Sequence, residues 1–463
     1  MSKFRAEHDS LGSVRVPASV YWGAETARAI QNYPISGLRF HPAFVWATAA
    51  IKKAAAQANM ALKRLNPRIA RAIIRASDEV MAGKFKDQFV VDVFQSGAGV
   101  SQHMNTNEVI ANRALELLKY RKGDHSKLHS HDHVNMGQST NDVMPAALRI
   151  STIKVLHEFY PILNSLEQAL SAKAREFGRI VKAGRTHMQD AAPVTLGQEF
   201  SGYARVIRKR TERIQSAEQN LHELGIGGSA VGTGLNTTLA YRRKLVQNLN
   251  RITRFNLKSG ANLFELMQST ADFSSVSGEL KTLALALIQM CNDLRLLGSG
   301  PKTGFHEIIL PVRQPGSSIM PGKINPVMPE ALTITCFQVV GNDLAVSMAT
   351  QAGQLELNVM IPTVIHNLLQ SVEILKNGVD LFTRLCVRGI KANKEQCREY
   401  AEGSFGIAAA LNPHIGYNRA AEVVKESIGT GKTIREIVLA RKLLPESKLR
   451  QILSPAKLTQ PKA

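Results

Sequence analysis

The sequence predicts an all-α protein built around a bundle of long helices. Alanine and leucine are abundant while aromatic residues make up only 6% of the 463 residues, a balance that favours helix over sheet. In the middle of the chain apolar residues recur at steps of three, four and seven. Phe200, Tyr203, Ile207, Ile214, Ala217 and Leu221 form one such seam. Polar stretches rich in glycine and proline separate the long patterns, where a bundle needs its turns.

Residues 1 to about 40 read as loop-rich, punctuated by Pro17, Trp22-Gly23-Ala24 and Pro34. A helical pattern runs from His41 to Ala82. Gln95-Ser-Gly-Ala-Gly-Val100 is a small-residue turn, and the polar run Ser101–Glu108 after it reads either as a pocket wall ahead of a helix from Val109 to Leu118 or as an ordinary helix start. Leu128–Asp142 is a second polar loop. Its His129, His131 and His133 would face one way only on a strand, so no metal site is predicted. Ser139, Thr140 and Asn141 precede a helix predicted from Met144 to about Phe177, where they can cap it or bind an anion at its start.

Gly184–Asp190 is a third polar loop, followed by a helix from about Leu196. Gly225–Asn236 is glycine-rich but lacks a nucleotide-binding pattern. Helical patterns resume over 271–297. The apolar run Leu283–Cys291 there is too short for a bilayer and reads as a buried helix. After a break at Gly316–Glu330 they continue to about Val387. From about 395 onward shorter helices suggest a small appended domain, with the last dozen residues frayed.

Composition narrows the function. A hydrophobic content of 44% argues for a folded core. The net charge of +21 raises a nucleic-acid surface, but the basic residues are dispersed. The densest run, Arg205–Arg213, lies on a helical pattern without interleaved aromatics, so a solvated basic face is predicted and nucleic acid is not expected as a partner. Cys291, Cys336, Cys386 and Cys397 form no CxxC pair, which argues against disulfides or zinc and for a reducing cytoplasm. The N-terminus has no apolar signal region.

The richest chemistry lies in Gly316-Ser-Ser-Ile-Met-Pro-Gly-Lys-Ile-Asn-Pro-Val-Met-Pro-Glu330. Its glycines and prolines disfavour regular structure. Ser317, Ser318, Lys323 and Asn325 are donors suited to closing over a small acidic ligand.

Four stretches, in this order, resemble the signature regions of the fumarase/aspartase superfamily: Ser96-Gly-Ala-Gly with Met104-Asn-Thr-Asn-Glu108, Gly137-Gln-Ser-Thr-Asn-Asp142, Gly184-Arg-Thr-His-Met-Gln-Asp190 and Gly316–Glu330. The resemblance runs nearly end to end. It implies an N-terminal domain (1–139), a central helical bundle (140–393) and a small C-terminal domain (394–463). It also implies a homotetramer with a twenty-helix core, each active site taking loops from three subunits. The implied reaction is anti β-elimination from a succinyl skeleton to give fumarate through an aci-carboxylate.

By the same resemblance Ser317 is the base, and Lys323 and Asn325 hold one carboxylate. Ser139, Thr140, Thr186 and Ser318 hold the carboxylate that becomes the aci-acid. Asn141 and His187 face the leaving group, and Glu330 orients His187. No metal ligand and no required cofactor are implied, and divalent-cation activation is not readable from the residues. Asn325-Pro-Val-Met-Pro-Glu330, Gln138-Ser-Thr-Asn141 and Ala98 resemble the aspartases; Tyr21-Trp22-Gly23-Ala24 and Arg185-Thr-His187 occur in class II fumarases. The balance favours elimination of ammonia from L-aspartate over water from L-malate. Three departures stand out: Val100 where a leaving-group threonine is usual, His103 where an asparagine is usual, and His129-Ser-His-Asp132 at the secondary carboxylate site. They raise a third reading, a weakened or non-catalytic relative.

Overall fold

The computed structural model describes residues 3–459. Helix accounts for 64% and strand for 8%, so the all-α class predicted from composition and periodicity holds. Among the described residues the strands form four separate two-stranded sheets. The chain opens with an antiparallel hairpin, β1 (Phe4–Asp9) and β2 (Gly12–Pro17), where the sequence had suggested only loop. Then come α1 (Ala24–Asn32), α2 (Pro42–Ala61), α3 (Pro67–Met81), α4 (Val100–Leu117) and the long α5 (Thr140–Glu176). A second hairpin, β3 (Val181–Thr186) and β4 (Gln189–Thr195), precedes α6 (Leu196–Glu218). The remaining main helices are α7 (Leu239–Thr253), α8 (Leu263–Gln268), α9 (Ala271–Leu297), α10 (Val327–Gln351), α11 (Ile361–Leu385) and α12 (Lys394–Gly403).

Local chemistry sets the helix ends. Pro42 and Pro67 occupy first-turn positions, where their missing N–H costs nothing. His41 and Asn66 side chains accept from Ala43 N and Arg68 N in front of them. In α2 the buried residues are mostly alanines, including Ala47, Ala49, Ala50, Ala54, Ala55 and Ala58. Such small residues let neighbouring helices approach closely. The apolar run Leu283–Cys291 falls inside α9, and Leu283, Ala284, Leu287, Met290 and Cys291 are all buried. All four cysteines are free and buried.

The chain divides into two compact units. The first takes residues up to Tyr160, Glu212–Ala284 and Phe337–Leu375; the second takes Pro161–Thr211, Leu285–Cys336 and the chain from Lys376. The first unit has a core on α2, α3 and α4, with Ile73, Ala76, Val109, Ile110 and Leu115 at its centre. In the second unit the C-terminal helices Tyr417–Thr430, Ile434–Ala440 and Glu446–Ile452 gather Leu411, Val423, Ile437 and Leu449. A capping box, Thr433 with Glu436, starts the middle one. Of the last dozen residues, expected to fray, Pro455–Thr459 are helical; 460–463 lie outside the described residues.

Among the described residues α10 alone has the length and mean hydropathy, 1.2, of a bilayer span. Its polar residues argue for a helix against protein: Asn342 donates to Ser371 Oγ at 3.0 Å, and Asp343 accepts from Ser277 Oγ at 2.7 Å. Ile334, Phe337, Leu344 and Met348 leave an exposed apolar stripe on it.

The β3–β4 hairpin is fixed by a buried ion cluster. Glu307 has no solvent exposure and accepts from Arg185 at 3.0 Å through both oxygens, with Lys182 at 3.0 Å. Lys182 also reaches Glu199 at 2.7 Å. The Arg185 guanidinium lies over the Phe305 ring at 4.3 Å. Removing one member of such a cluster strands the others without compensation. Glu307→Ala should therefore cost about 3–5 kcal/mol, read as a fall in denaturant midpoint; an unchanged midpoint would show that the cluster does not hold the hairpin.

Candidate active site

Within the first unit, the site is organised by Asp142. This fully buried carboxylate accepts from Ser139 N (2.9 Å), Gly227 N (2.9 Å) and Ser229 N (3.1 Å). It thus ties the start of α5 to the glycine-rich turn after α6, which accounts for the small residues there. Burial pushes its acid group up to about 6 against the pull of those N–H groups and of Lys52. Ser139 is the capping residue: its Oγ accepts from Asn141 N at 3.2 Å. Asn141 Nδ2 donates to Ala230 O at 2.8 Å. Thr140 Oγ1 lies 2.7 Å from His103 Nδ1. The three predicted residues Ser139, Thr140 and Asn141 are thus brought together on one half-buried turn, and α5 starts at Thr140 rather than Met144.

Of the two readings of the run Ser101–Glu108, the helix start holds. It is the first half of α4, and Gln102 to Glu108 are all buried. Its polar groups bond to neighbouring segments. Asn105 accepts from Val90 N and donates to Gln88 O. Glu108 accepts from the N–H groups of Gly23, Glu25 and Thr26. Burial pushes the Glu108 acid up to about 7. Behind His103 stands Lys52, fully buried in α2 and unnoticed in the sequence. Its Nζ reaches His103 Nε2 (2.6 Å), Asn135 Oδ1 (2.9 Å) and Gln138 Oε1 (3.0 Å). Burial holds Lys52 well below the usual lysine range against the pull of Asp142, and it holds His103 well below the usual histidine range. The signal was available: Thr48, Lys52 and Asn59 are polar positions on the buried, alanine-rich face of α2.

Val100 is the first residue of α4 and is 41% exposed. The preceding turn is tightly held. Ala98 N donates to Val359 O at 2.7 Å, and a side chain at Gly99, which has φ +82°, would strike Met144 Cε at 2.4 Å. The chain therefore presents position 100 at a defined point, carrying a methyl group where a hydroxyl would be.

The histidine cluster is spent on other partners. His131 Nε2 meets Glu25 at 2.6 Å, His125 meets Glu7 at 2.7 Å, and His129 N donates to His133 Nδ1 at 2.8 Å. Among the described residues no group of three acidic, histidine or cysteine side chains could hold a metal ion.

Within the second unit, Thr186 and His187 stand at the tip of the β3–β4 hairpin and are exposed. Thr186 pairs with Gln189, leaving a two-residue turn, His187 (φ +55°) and Met188 (φ +60°). Two consecutive positive φ values define the mirror-image turn that normally takes Asn-Gly. Placing His and Met there is locally unfavourable and typical of functional tips.

The stretch after Gly316 folds as a loop with a closed neck. Gly316 N donates to Lys323 O at 2.8 Å, and Asn325 Nδ2 donates to Gly316 O at 2.6 Å. A side chain on Gly316 would sit 2.6 Å from Lys323 O, so only glycine fits. Ser317 Oγ accepts from Ile319 N (3.2 Å) and Met320 N (3.0 Å). Ser318 and Lys323 are exposed. The last four residues of the stretch are already helix, placing Glu330 in the first turn of α10. Among the described residues no hydrogen bond joins Glu330 to His187 within the chain, so this pair is not brought together.

Four polar segments on helix ends and a hairpin, in this all-α setting, match known proteins over almost the whole chain. The profile of a family described as "Lyase" covers residues 12–341, and one described as "Fumarase C C-terminus" covers 407–460. The chain belongs to the fumarase/aspartase superfamily. Aspartate ammonia-lyase of Bacillus subtilis is 46% identical over 459 residues, covering 99% of this chain and 97% of its own. Class II fumarate hydratase of Thermosynechococcus vestitus is 47% identical over 433 residues, 93% of each chain. A solved fumarate lyase:delta crystallin from Brucella melitensis, bound to cobalt, superposes with a TM-score of 0.96 at 44% identity over 99% of this chain and 100% of its own. Membership in this lyase superfamily is therefore established, and relatives of both reaction types are similarly close.

The Asp142 anchor predicts a pH effect. Its folded pKa lies above the ordinary 3.8, at about 6. The favourable contribution to stability is therefore fully present below the unfolded value and is lost as pH rises through about 6. In the opposite sense, the proton taken up below about 6 removes an acceptor from the N–H groups that hold the Ser139–Asn141 turn. Turnover should fall on the acid side through about pH 6, read from kcat/KM between pH 5 and 8. A flat profile across that window would contradict this role.

Proposed function

We propose that the protein is an aspartate ammonia-lyase. The observation that carries the reaction class is Ser317, whose Oγ already accepts two backbone N–H groups. A serine hydroxyl is far too weak an acid to be a base unaided, and donors aimed at its oxygen favour the oxyanion. In this reading Ser317 removes a proton from the carbon beside one substrate carboxylate. The freed electron pair spreads into that carboxylate as an aci-dianion. Ser139, Thr140, Thr186 and Ser318 donate to its oxygens, an interaction strongest where the charge is greatest. Lys323 and Asn325 hold the other carboxylate. The pair then forms the double bond of fumarate as the C–N bond breaks, its electrons leaving with ammonia on the side of Asn141 and His187, with Glu330 orienting the imidazole.

The choice of aspartate rests on Asn325-Pro-Val-Met-Pro-Glu330 and Gln138-Ser-Thr-Asn141, which resemble the aspartases. The second reading, class II fumarate hydratase, is favoured by Arg185-Thr-His187 and by the relative at 47% identity. The third, a weakened or non-catalytic member, is favoured by Val100. A homotetramer with shared sites is part of the proposal, supported by the exposed apolar stripe on α10 and by the unjoined His187 and Glu330.

Purified protein should form fumarate, followed by ultraviolet absorbance, from L-aspartate and not from L-malate, and Ser317→Ala should cost on the order of 10²–10⁴-fold. Fumarate from malate alone would establish the hydratase instead; silence on both would favour the non-catalytic reading. Val100→Thr restores a hydrogen bond to the amino group, worth about 1.5–3 kcal/mol. It should raise kcat/KM for aspartate by roughly tenfold to a hundredfold; no change would remove Val100 from the leaving-group side.

A further inference from the structure

We propose that His103 is a positioning residue that forces the Thr140 hydroxyl to donate to the substrate carboxylate, with Lys52 fixing the imidazole tautomer behind it. The inference rests on the reading of Thr140 as a carboxylate anchor, and extends it to residues that do not touch substrate.

The geometry is a counting problem. Lys52 Nζ faces His103 Nε2 at 2.6 Å, Asn135 Oδ1 at 2.9 Å and Gln138 Oε1 at 3.0 Å. Both amides are oriented by other bonds. Asn135 Nδ2 donates to Gln138 O at 3.3 Å, and Gln138 Nε2 donates to Val134 O at 3.1 Å. Their oxygens are therefore turned to the lysine. An ammonium group has three N–H donors, and three acceptors converge on it only if His103 Nε2 offers a lone pair. A neutral amine has two N–H groups and one lone pair, which a protonated Nε2 would fill, so the tautomer follows the charge on Lys52 and the relay operates while Lys52 is an ammonium. Burial works against the ammonium and the Asp142 carboxylate works for it.

With Nε2 committed as an acceptor, the imidazole proton sits on Nδ1. That N–H donates to Thr140 Oγ1 at 2.7 Å. The Thr140 hydrogen cannot then point back at His103. It is left to point away, where a developing aci-carboxylate can accept it. In the reverse tautomer Nδ1 would accept from Thr140 and take that donor from the substrate. The charged groups acting on His103 are Lys52 from α2 and His131 from the turn before α5; Asp142 acts on Lys52 from α5. The histidine at this position is thus a directional relay that sets the sense of one hydroxyl.

The test is a double-mutant cycle on the full-length protein with His103→Phe, Thr140→Val and the double variant, read as kcat/KM for L-aspartate and as fumarate Kd by titration calorimetry. If His103 acts through Thr140, each single change lowers kcat/KM by about tenfold or more, and the double variant is no worse than Thr140→Val. A His103→Phe loss that persists undiminished in the Thr140→Val background overturns the proposal, because it marks a role in packing only. Should phenylalanine prevent folding, checked by thermal melting, His103→Gln keeps a polar side chain there and must obey the same rule. A wild-type protein that binds fumarate without turning over aspartate would refute the aspartate reading alone, and the cycle is then decided by Kd. A wild-type protein that binds no fumarate overturns the inference as well.

Discussion

Backbone N–H groups taken out of water must find acceptors, and in this protein three buried carboxylates meet that demand at the segments that matter. Asp142 accepts three from the starts of α5 and the glycine-rich turn. Glu108 accepts three from the entry to α1. Asp92 accepts from Ser36 N, Gly37 N and Phe94 N. Each fastens a turn that has no ladder or helix of its own to satisfy it. The compensation differs. At Asp92 the donors outweigh burial and hold the acid below its ordinary value, whereas at Asp142 and Glu108 burial wins.

Function follows from what these anchors leave free. Once the backbone of the Ser139–Asn141 turn is spoken for, its hydroxyls carry only light structural bonds: Ser139 Oγ accepts from Asn141 N, and Thr140 Oγ1 meets His103 Nδ1. The Gly316 loop uses the same device with lighter means: one side-chain amide and one backbone bond close the neck, while Ser318 and Lys323 stay exposed. The His187–Met188 turn is held in its unfavourable backbone shape by the ion cluster of Glu307, Lys182 and Arg185 beneath it. Rigid supports under exposed donors are what electrostatic stabilisation of a dianion requires.

Much of this was legible. The seam through Phe200, Ile207 and Ile214 announced a buried helix face, and Phe200, Ile207 and Ile214 are buried. The polar stretches around Ser139, Thr186 and Ser317 stood out because their residue types are poor core material. What sequence reasoning missed was polar residues inside regular structure. Ser101–Glu108 stayed open between a pocket wall and a helix start because seven buried residues, Gln102 to Glu108, include six polar ones, an arrangement stable only through partners distant in sequence, such as Gly23 and Val90. Lys52 was hidden for the same reason. The two hairpins escaped because their strands are only six or seven residues long and half exposed, so the alternation is weak.

The central claim is that one dicarboxylate site is assembled from separate loops, with Ser317 as base and Thr140 as carboxylate anchor, and that it is shared between subunits. Subunit mixing tests it most directly. Ser317→Ala and Thr140→Val proteins, each of lowered activity, are dissociated together and reassembled, and fumarate formation is measured. Shared sites regain intact combinations in the mixed oligomers, so activity returns well above either parent. Mixed oligomers that form but are no more active than the average of their parents would contradict the claim.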